Sequence, residues 1–246
     1  MISDAINTIC AFLGRRDVPE LTREALRSAY GFSQADVMVL FGGSIIAGGD
    51  ALAQAIKNKV AKTYVIVGGV GHTTQALRDT VQKLYPDIPT EGKPEAEIFQ
   101  AYLKFRYNLK VDYLETRSTH CGNNITNLLA LLEDNAVPCE NIILTQDATM
   151  QLRMCATLLK HRPGLRIVNY AAYKAQITPD LAYAESIPGM WPIDRFVSLL
   201  MGEVKRLTDT PDGYGPRGRD FITHVDIPKE VKEAYEDLLA HGYCPR

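Results

Sequence analysis

Short β-branched runs alternate with amphipathic segments along the chain from Asp36 onward. Five of the runs have the length and the apolar, β-branched content of strands. They cover residues 37–41, 64–67, 111–114, 142–145 and 166–170. The segments between them carry apolar residues at helical spacing, so each can cover one face of a sheet. The alternation predicts a three-layer, Rossmann-like α/β domain with an open parallel sheet of about five strands.

Strand-like runs end near residue 180. A long amphipathic helix is predicted after Trp191-Pro192, and another begins at Pro228. We therefore predict an α/β domain over residues 1–180 and a small C-terminal helical lobe over residues 181–246. Two further helices predicted within residues 1–30 are candidates for packing against this lobe.

Composition and charge argue against several classes of partner. The 246 residues, 46% of them hydrophobic and 23% charged, suffice for a buried core. A formal net charge of -2 gives no field that would attract nucleic acid or an anionic membrane surface. The chain does not open with a basic, apolar leader, and no apolar run approaches the roughly 20 residues of a membrane helix. The sequence predicts a cytoplasmic protein with a small-molecule ligand, no nucleic-acid or membrane partner, and no particular oligomeric state.

Cysteine and histidine usage predicts neither a disulfide framework nor a metal site. The five cysteines are an odd set without a C-x-x-C pair, and the five histidines lack H-x-x-x-H spacing. His120 and Cys121 are adjacent, but neighbours in a loop usually point apart, so a thiol nucleophile is not favoured.

The unusual residues of the chain lie in the loops that follow the predicted strands. Right-handed crossovers bring these loops to one edge of a parallel sheet, where open α/β proteins bind their ligands. Glycines there let backbone N–H groups approach a phosphate or a carboxylate. The predicted ligand-binding residues are Gly42, Gly43, Ser44, Gly68, Gly69, Gly71, His72, Ser118, Thr119, Asn124, Gln146, Met150 and Arg153. Tight-turn geometry for the glycines, and helix capping by Ser118, Thr119 or Asn124, are the alternative explanations.

Three carboxylates at the same edge are candidates for a proton acceptor, namely Glu95, Glu115 and Asp147. Glu95 belongs to this edge because its helix must run antiparallel to the strands to deliver the chain to the third of them. Arg153, one turn into a helix that starts at the edge, would clamp an anionic group of the ligand. For Glu95 and Arg153 the alternative is a charge that is simply solvated or that complements a helix dipole.

A glycine- and proline-rich loop at residues 212–220 separates the last two predicted helices. Its Tyr214, Arg217 and Arg219 are predicted to form a lid or rim over the crevice, because two cations suit an anionic ligand. In the alternative, the two arginines pair with carboxylates of the core and fasten the lobe to it.

Several motifs that would fix a chemistry are absent. The loop Gly69-Val70-Gly71-His72-Thr73-Thr74 lacks the last glycine of G-x-G-x-x-G, and no acidic residue ends the second strand to hold a ribose. The chain also lacks the P-loop pattern and the G-x-S-x-G serine elbow. Nicotinamide-dependent dehydrogenases, P-loop enzymes and α/β-hydrolases are therefore disfavoured.

Several motifs resemble the YdcF family, within a group of Rossmann-like domains that includes the SanA and ElyC envelope proteins. They are Gly68-Gly69-Val70-Gly71-His72-Thr73-Thr74, Glu95-Ala96, Ser118-Thr119-His120-Cys121-Gly122, Gln146-Asp147-Ala148-Thr149-Met150-Gln151, Trp191-Pro192 and the stretch from Asp212 to Ile222. The resemblance implies a Rossmann-like core, a polar pocket, and affinity for S-adenosylmethionine or a similar nucleotide. Where the broader pattern has Glu-Asn, this chain has Asn123-Asn124. A carboxylate at that position therefore cannot be the general base of this protein, which favours Glu95, Glu115 and Asp147 for that role.

Three hypotheses follow. The first is a hydrolase or transferase that acts on a phosphorylated or nucleotide-like molecule, with Asp147 or Glu115 as proton acceptor. The second is a ligand-binding or sensor module without turnover, which the missing glutamate at position 123 favours. The third, an S-adenosylmethionine-dependent methyltransferase, is disfavoured because no acidic residue closes the second strand.

Overall fold

A computed structural model describes all 246 residues and contains one five-stranded, fully parallel sheet. The spatial order of its strands is β3-β2-β1-β4-β5. The strands are β1 (Ala35–Phe41), β2 (Ala61–Val67), β3 (Tyr113–Glu115), β4 (Asn141–Thr145) and β5 (Arg166–Asn169). The predicted fold class, a Rossmann-like open parallel sheet, is confirmed.

Nine helices surround the sheet. They are α1 (Ile2–Leu13), α2 (Arg23–Tyr30), α3 (Ala47–Asn58), α4 (Thr74–Leu84), α5 (Glu95–Tyr107), α6 (Cys121–Asp134), α7 (Gln151–His161), α8 (Ile193–Leu207) and α9 (Lys229–Ala240). None of them combines the length and the hydropathy that a lipid bilayer requires of a spanning helix.

The central strand β1 is buried along its whole length, as expected for a parallel strand with helices on both faces. Because side chains alternate along a strand, Met38 and Leu40 pack in one apolar cluster with residues of α3 and α5. Val39 and Phe41 face the other way, into a cluster with residues of α6 and α7. Burial of each such side chain is worth roughly 1.5–3 kcal/mol. The two clusters hold the sheet between helical layers.

The register of the central strands sets the position of the loops. Leu40 of β1 lies opposite Ile66 of β2 and Thr145 of β4. The three strands therefore end within one or two residues of each other, and their following loops emerge side by side. Since β2 and β4 flank β1, the chain winds away from β1 in opposite directions, which creates the crevice where such sheets bind ligands.

The helical lobe is built from both ends of the chain. Helix α1 packs on α8 and α9 in a third apolar cluster, whereas Leu26 of α2 belongs to the cluster beneath α3 and α5. Leu152 and Ala156 of α7 also join the lobe cluster, so the lobe packs directly on the α/β layers. This contact closes one side of the crevice at the strand ends.

The edge strands are shorter than the sequence pattern predicts. The third predicted strand starts at residue 111, but β3 begins at Tyr113. Asp112 bonds to Tyr64 through its backbone N–H and its carboxylate, and Leu114 is partly exposed. Only Glu115 of the three β3 residues is buried, so few apolar contacts favour a longer strand at this edge of the sheet, and β3 remains short.

Candidate functional site

A cavity of about 730 Å³ opens at the carboxyl ends of the strands, at the point where the strand order reverses around β1. The loops after β1, β2, β3 and β4 form one side, and α7, α8 and the 212–222 segment form the other. We call it the strand-edge cavity. Of the residues predicted for a site, those that line it are Gly42, Gly43, Ser44, Gly69, Gly71, His72, Glu95, Ser118, Thr119, Asn124, Gln146, Asp147, Met150, Arg153 and Tyr214.

Four residues predicted for the site lie outside the lining: Gly68, Glu115, Arg217 and Arg219. Gly68 lies beneath the cavity, where its carbonyl accepts a hydrogen bond from the N–H of Ala96 at the start of α5. An added Cβ at Gly68 would be 3.0 Å from the Cβ of Glu95. Gly68 therefore lets α5 approach the sheet and does not itself face a ligand.

Asp147, in the loop after β4, has one carboxylate oxygen fully engaged and the other free. Its Oδ1 accepts hydrogen bonds from the Tyr173 hydroxyl at 2.7 Å, the Thr149 hydroxyl at 2.8 Å and the Thr149 N–H at 2.9 Å. Oδ2 has no hydrogen-bond partner within the chain, and the residue lines the cavity. Burial raises the pKa of the Asp147 carboxyl above its ordinary value, and the donated bonds oppose this only in part. Three donors thus fix the orientation of a carboxylate that retains one free oxygen.

Glu95 is the first residue of α5 and lies buried at the base of the cavity. Its Oε1 accepts a 2.7 Å hydrogen bond from the hydroxyl of Thr74, which in turn accepts one from the N–H of Gly71. Burial raises the pKa of the Glu95 carboxyl, against the Thr74 hydrogen bond and the Arg78 charge, which lower it. This chain of hydrogen bonds ties the loop after β2 to the start of α5.

The loop after β1 runs between these two carboxylates. Gly42 lies so close to Glu95 that an added Cβ would meet Oε2 of Glu95, whereas a Cβ at Gly43 would be 3.9 Å from the Cβ of Asp147. The backbone N–H groups of Gly43 and Ser44 have no acceptor within the chain. Ser44 is 4% exposed, lines the cavity, and its hydroxyl also lacks a partner. Two N–H groups and one hydroxyl of this loop are therefore available as donors to a ligand.

Glu115 has a different role from the one predicted. Its carboxylate accepts hydrogen bonds from the N–H groups of Arg117 and Ser118 and from the side-chain amide of Asn127. The side chain is buried and turned into its own loop, away from the cavity. Ser118 in turn accepts a hydrogen bond from the N–H of Gly69. Glu115 thus holds the loop after β3 in place, and the structure does not present it as a proton acceptor.

Arg153 lines the cavity but is already engaged by a carboxylate of the lobe. Its Nε and Nη2 donate side-on to the two oxygens of Glu203 on α8, and both side chains are at least nine-tenths buried. Arg206 adds a second, longer bond to Glu203. Burial by itself lowers the pKa of Arg153. The opposite charge of Glu203 and the hydrogen bonds to it more than offset this effect, so the pKa lies above its ordinary value. The predicted anion clamp is therefore an ion pair between α7 and the lobe, with only Nη1 free of a carboxylate.

The 212–220 loop borders the cavity, although not through its arginines. Arg217 pairs with Asp209, which lies between the end of α8 and this loop, and the Arg217 side chain is 78% exposed. The Arg219 guanidinium lies 5.7 Å from the centre of the Tyr214 ring. Tyr214 and Phe221 reach the cavity, with their rings edge to face. The predicted rim is therefore aromatic, and the predicted pairing of the arginines with core carboxylates does not occur for Arg217.

Further lining residues were not predicted for the site, among them Lys160, His161, Trp191, Glu203, Arg206 and Phe221, and Cys121, for which a nucleophilic role was not favoured, also lines the cavity. For Glu203 a signal exists, since it interrupts an apolar face formed by Phe196, Leu200 and Leu207 at helical spacing. An acidic residue on such a face must find a partner or a cavity. Trp191 stands at the cavity wall with the Arg195 guanidinium 4.5 Å from its ring centre.

No group of three or more His, Cys, Asp or Glu side chains is arranged to hold a metal ion.

Comparison with known proteins adds little about chemistry. No family model matches the chain. It is 28% identical over 134 residues to the uncharacterized protein SCO4629 of Streptomyces coelicolor, which covers 54% of each chain, so the match spans about half of that relative. The resemblance to the YdcF family therefore stays a prediction.

Proposed function

We propose that the strand-edge cavity binds a small, polar, anionic, nucleotide-like molecule and that the protein acts on it as a hydrolase or a transferase. One observation carries the proposal: Gly43 and Ser44, whose backbone N–H groups have no acceptor within the chain, line the same cavity as Asp147, and a Cβ added at Gly43 would be 3.9 Å from the Cβ of Asp147. Donors aimed at an anion, next to a base, are the two parts that acyl and phosphoryl transfer need. The volume of about 730 Å³ is in the range of small-molecule sites.

In this proposal the backbone N–H groups of Gly43 and Ser44, with the Ser44 hydroxyl, receive the anionic group of the ligand. Asp147 accepts the proton of the attacking water or hydroxyl through Oδ2. A carboxyl group with a raised pKa is a stronger base than an ordinary one, and Tyr173 and Thr149 keep it oriented. Glu95 positions the loop from beneath through its contact with Gly42.

The test starts from the protein as purified. Native mass spectrometry identifies any retained molecule, and unfolding midpoints are measured with inorganic phosphate, adenosine monophosphate, adenosine triphosphate and S-adenosylmethionine. A compound that raises the midpoint is then incubated with wild type, Asp147→Asn and the exposed control Asp87→Asn, and its products are analysed. We expect Asp147→Asn to keep binding and lose at least about a hundredfold in turnover, as for a lost general base, while Asp87→Asn behaves as wild type. If no anionic molecule is retained and none raises the midpoint, the proposed function is wrong.

Binding without turnover is the second candidate, and one observation favours it. At the position where the broader pattern of that group of domains has a glutamate, the Oδ1 of Asn123 accepts hydrogen bonds from the N–H groups of Thr119 and His120. This residue caps α6 and has no free acid to offer. A retained ligand that wild type leaves unchanged would establish this candidate over the first.

S-adenosylmethionine is included as a ligand because of the YdcF resemblance, which we also propose as the relationship of this chain. The residues fit that molecule only in part. Strand β2 ends at Val67 and is followed by two glycines, so the end of this strand does not carry the acidic residue that usually binds ribose hydroxyls. We therefore do not extend the proposal to methyl transfer.

A further inference from the structure

A second cavity, of about 430 Å³, lies behind Asp147 between α1 and the segment that follows β5. Its apolar lining includes Cys10, Ala11 and Ala175, which are at least partly exposed, and the almost fully buried Phe196 and Leu200; Arg16 and Lys174 also line it. No aspartate or glutamate lines it. The cavity therefore combines two cations and an apolar lining with no carboxylate of its own.

Arg16 is the residue that makes this cavity unusual. It is partly buried, and it forms no ion pair with any carboxylate of the chain. Its Nε donates to the Ala171 carbonyl and its Nη1 to the Tyr170 hydroxyl, while the guanidinium stacks 4.2 Å from the centre of the Tyr170 ring. These contacts fix the guanidinium and leave Nη2 without an acceptor. Burial lowers the pKa of Arg16, and no carboxylate offsets the effect. A fixed, partly desolvated guanidinium without a counter-charge is prepared for an anion.

The other lining groups do not compete for this role. Lys174 is exposed and has no ion-pair partner, so it adds a second positive charge at the mouth. Burial raises the pKa of the Cys10 thiol to about 12, so this group is neutral near pH 7. Asn7 is satisfied by both the carbonyl and the N–H of Ile177. The lining therefore carries a net positive charge and offers no anion of its own.

We propose that the second cavity binds a small organic monocarboxylate with an apolar body, its carboxylate on Arg16 and its body against the apolar lining. The apolar lining disfavours inorganic anions as occupants, because they would leave it unfilled. Arg16 is the one cation of the lining that is held in place, since Lys174 is exposed, and one fixed cation favours one carboxylate over a larger charge.

The second cavity adjoins the strand-edge cavity through Tyr173 and Thr149. Tyr173 lines the second cavity and donates its hydroxyl to Oδ1 of Asp147, and Thr149 borders both cavities. A molecule in the second cavity would therefore touch the side chain that orients Asp147. The inference itself does not depend on the function proposed for the strand-edge cavity, since Arg16 and Lys174 line only the second one.

Isothermal titration calorimetry with benzoate tests the proposal on the full chain, with benzyl alcohol as a neutral analogue of similar size and the same apolar ring. We expect benzoate to bind wild type and benzyl alcohol to bind at least about tenfold more weakly, as expected for a lost charge-assisted hydrogen bond. Arg16→Gln should weaken benzoate at least about tenfold for the same reason. Arg27→Gln removes an equal charge from the exposed face of α2 and should change nothing.

Two further variants test whether benzoate binds in the second cavity and not in the strand-edge cavity. Lys174→Gln removes the exposed cation without touching a buried contact, and a loss of about two- to fivefold is expected, as for a surface charge pair. Lys160→Gln removes a cation of the strand-edge cavity and should leave benzoate binding unchanged. The proposal is overturned if benzoate does not bind at millimolar concentration, or if the alcohol binds equally well. It is also overturned if folded Arg16→Gln keeps wild-type affinity, if Arg16→Gln fails to fold and Lys174→Gln keeps wild-type affinity, or if Lys160→Gln is the variant that loses binding.

Discussion

Gly42→Ala is the sharpest perturbation of the strand-edge cavity. An alanine Cβ at this position would lie against Oε2 of Glu95 and 2.8 Å from its Cβ, and neither atom can move easily. Glu95 is buried, its Oε1 is held by Thr74, and its N–H donates to the carbonyl of Gly69. At Gly43 the nearest atom would be the Oε1 of Gln146 at 3.5 Å, which is ordinary contact. Two adjacent glycines therefore differ in what a methyl group would meet.

The expected loss of stability in Gly42→Ala follows from the overlap between the added methyl group and the side chain of Glu95. Overpacking of a well-packed region by one methyl group costs roughly 1–3 kcal/mol. For a chain of this size the corresponding loss in unfolding midpoint is about 2–4 °C per kcal/mol. We therefore expect Gly42→Ala to lower the midpoint by several degrees, whereas Gly43→Ala should leave it unchanged or raise it slightly, because alanine restricts the unfolded chain.

Urea unfolding of four proteins measures the contact directly: wild type, Gly42→Ala, Glu95→Gly and the double variant. Glycine is used at position 95 because the Cβ of Glu95 takes part in the overlap. The coupling free energy should be about 1–3 kcal/mol in the sense that Glu95→Gly relieves Gly42→Ala. Equal stability of Gly42→Ala and Gly43→Ala, or additive effects in the double variant, would show that Glu95 does not pack on this loop as described.

Three other predictions concern charged side chains. Asp147→Asn should raise the free energy of unfolding at pH 7, since the folded state disfavours the ionised carboxylate. The gain should shrink as the pH falls through the raised pKa of the folded carboxyl and disappear below about pH 3, where the carboxyl is protonated in the folded and in the unfolded chain. Glu203→Gln should lower the free energy of unfolding by about 3–5 kcal/mol in chemical denaturation, because it leaves the Arg153 charge buried without a partner. Arg217→Ala/Arg219→Ala should leave the affinity for a retained ligand within about threefold, since neither side chain lines the cavity, and should change the unfolding midpoint by only a few degrees.

Each of these has a result that would contradict it. A stability gain of Asp147→Asn that persists unchanged at pH 4 would mean that the ionised carboxylate is not the cause. A loss below about 1 kcal/mol for Glu203→Gln would place the pair in solvent. A tenfold loss of affinity in the double arginine variant would restore the lid interpretation of the 212–220 loop.

The fold could be predicted from the sequence because its determinants are local. The β1 run is apolar from Val37 to Phe41, and amphipathic segments with legible spacing separate it from the next strands. Handedness of the crossovers then fixes which edge the loops share. For the same reason residues that closely follow a strand, such as Gly43 and Asp147, line the cavity.

The partners of the charged residues could not be predicted in this way. Arg153 and Glu203 are 50 residues apart, and only the packing of the lobe on α7 brings them together. Glu115 stands at the predicted edge, but a rotation of its side chain decides whether it faces a ligand or its own loop. Sequence position determines where a Cα lies, while the direction of a side chain depends on donors that long-range packing supplies.

Trp191 gives the protein a built-in optical probe. It is the single tryptophan of the chain and stands in the wall of the strand-edge cavity. All indole emission therefore originates at one wall of one cavity, beside the Arg195 guanidinium that covers the ring. A molecule that enters will displace water from the indole or shift that cation, and either event changes the wavelength or the intensity of emission. Occupancy can thus be followed in real time, without a label and before the chemical identity of the occupant is known.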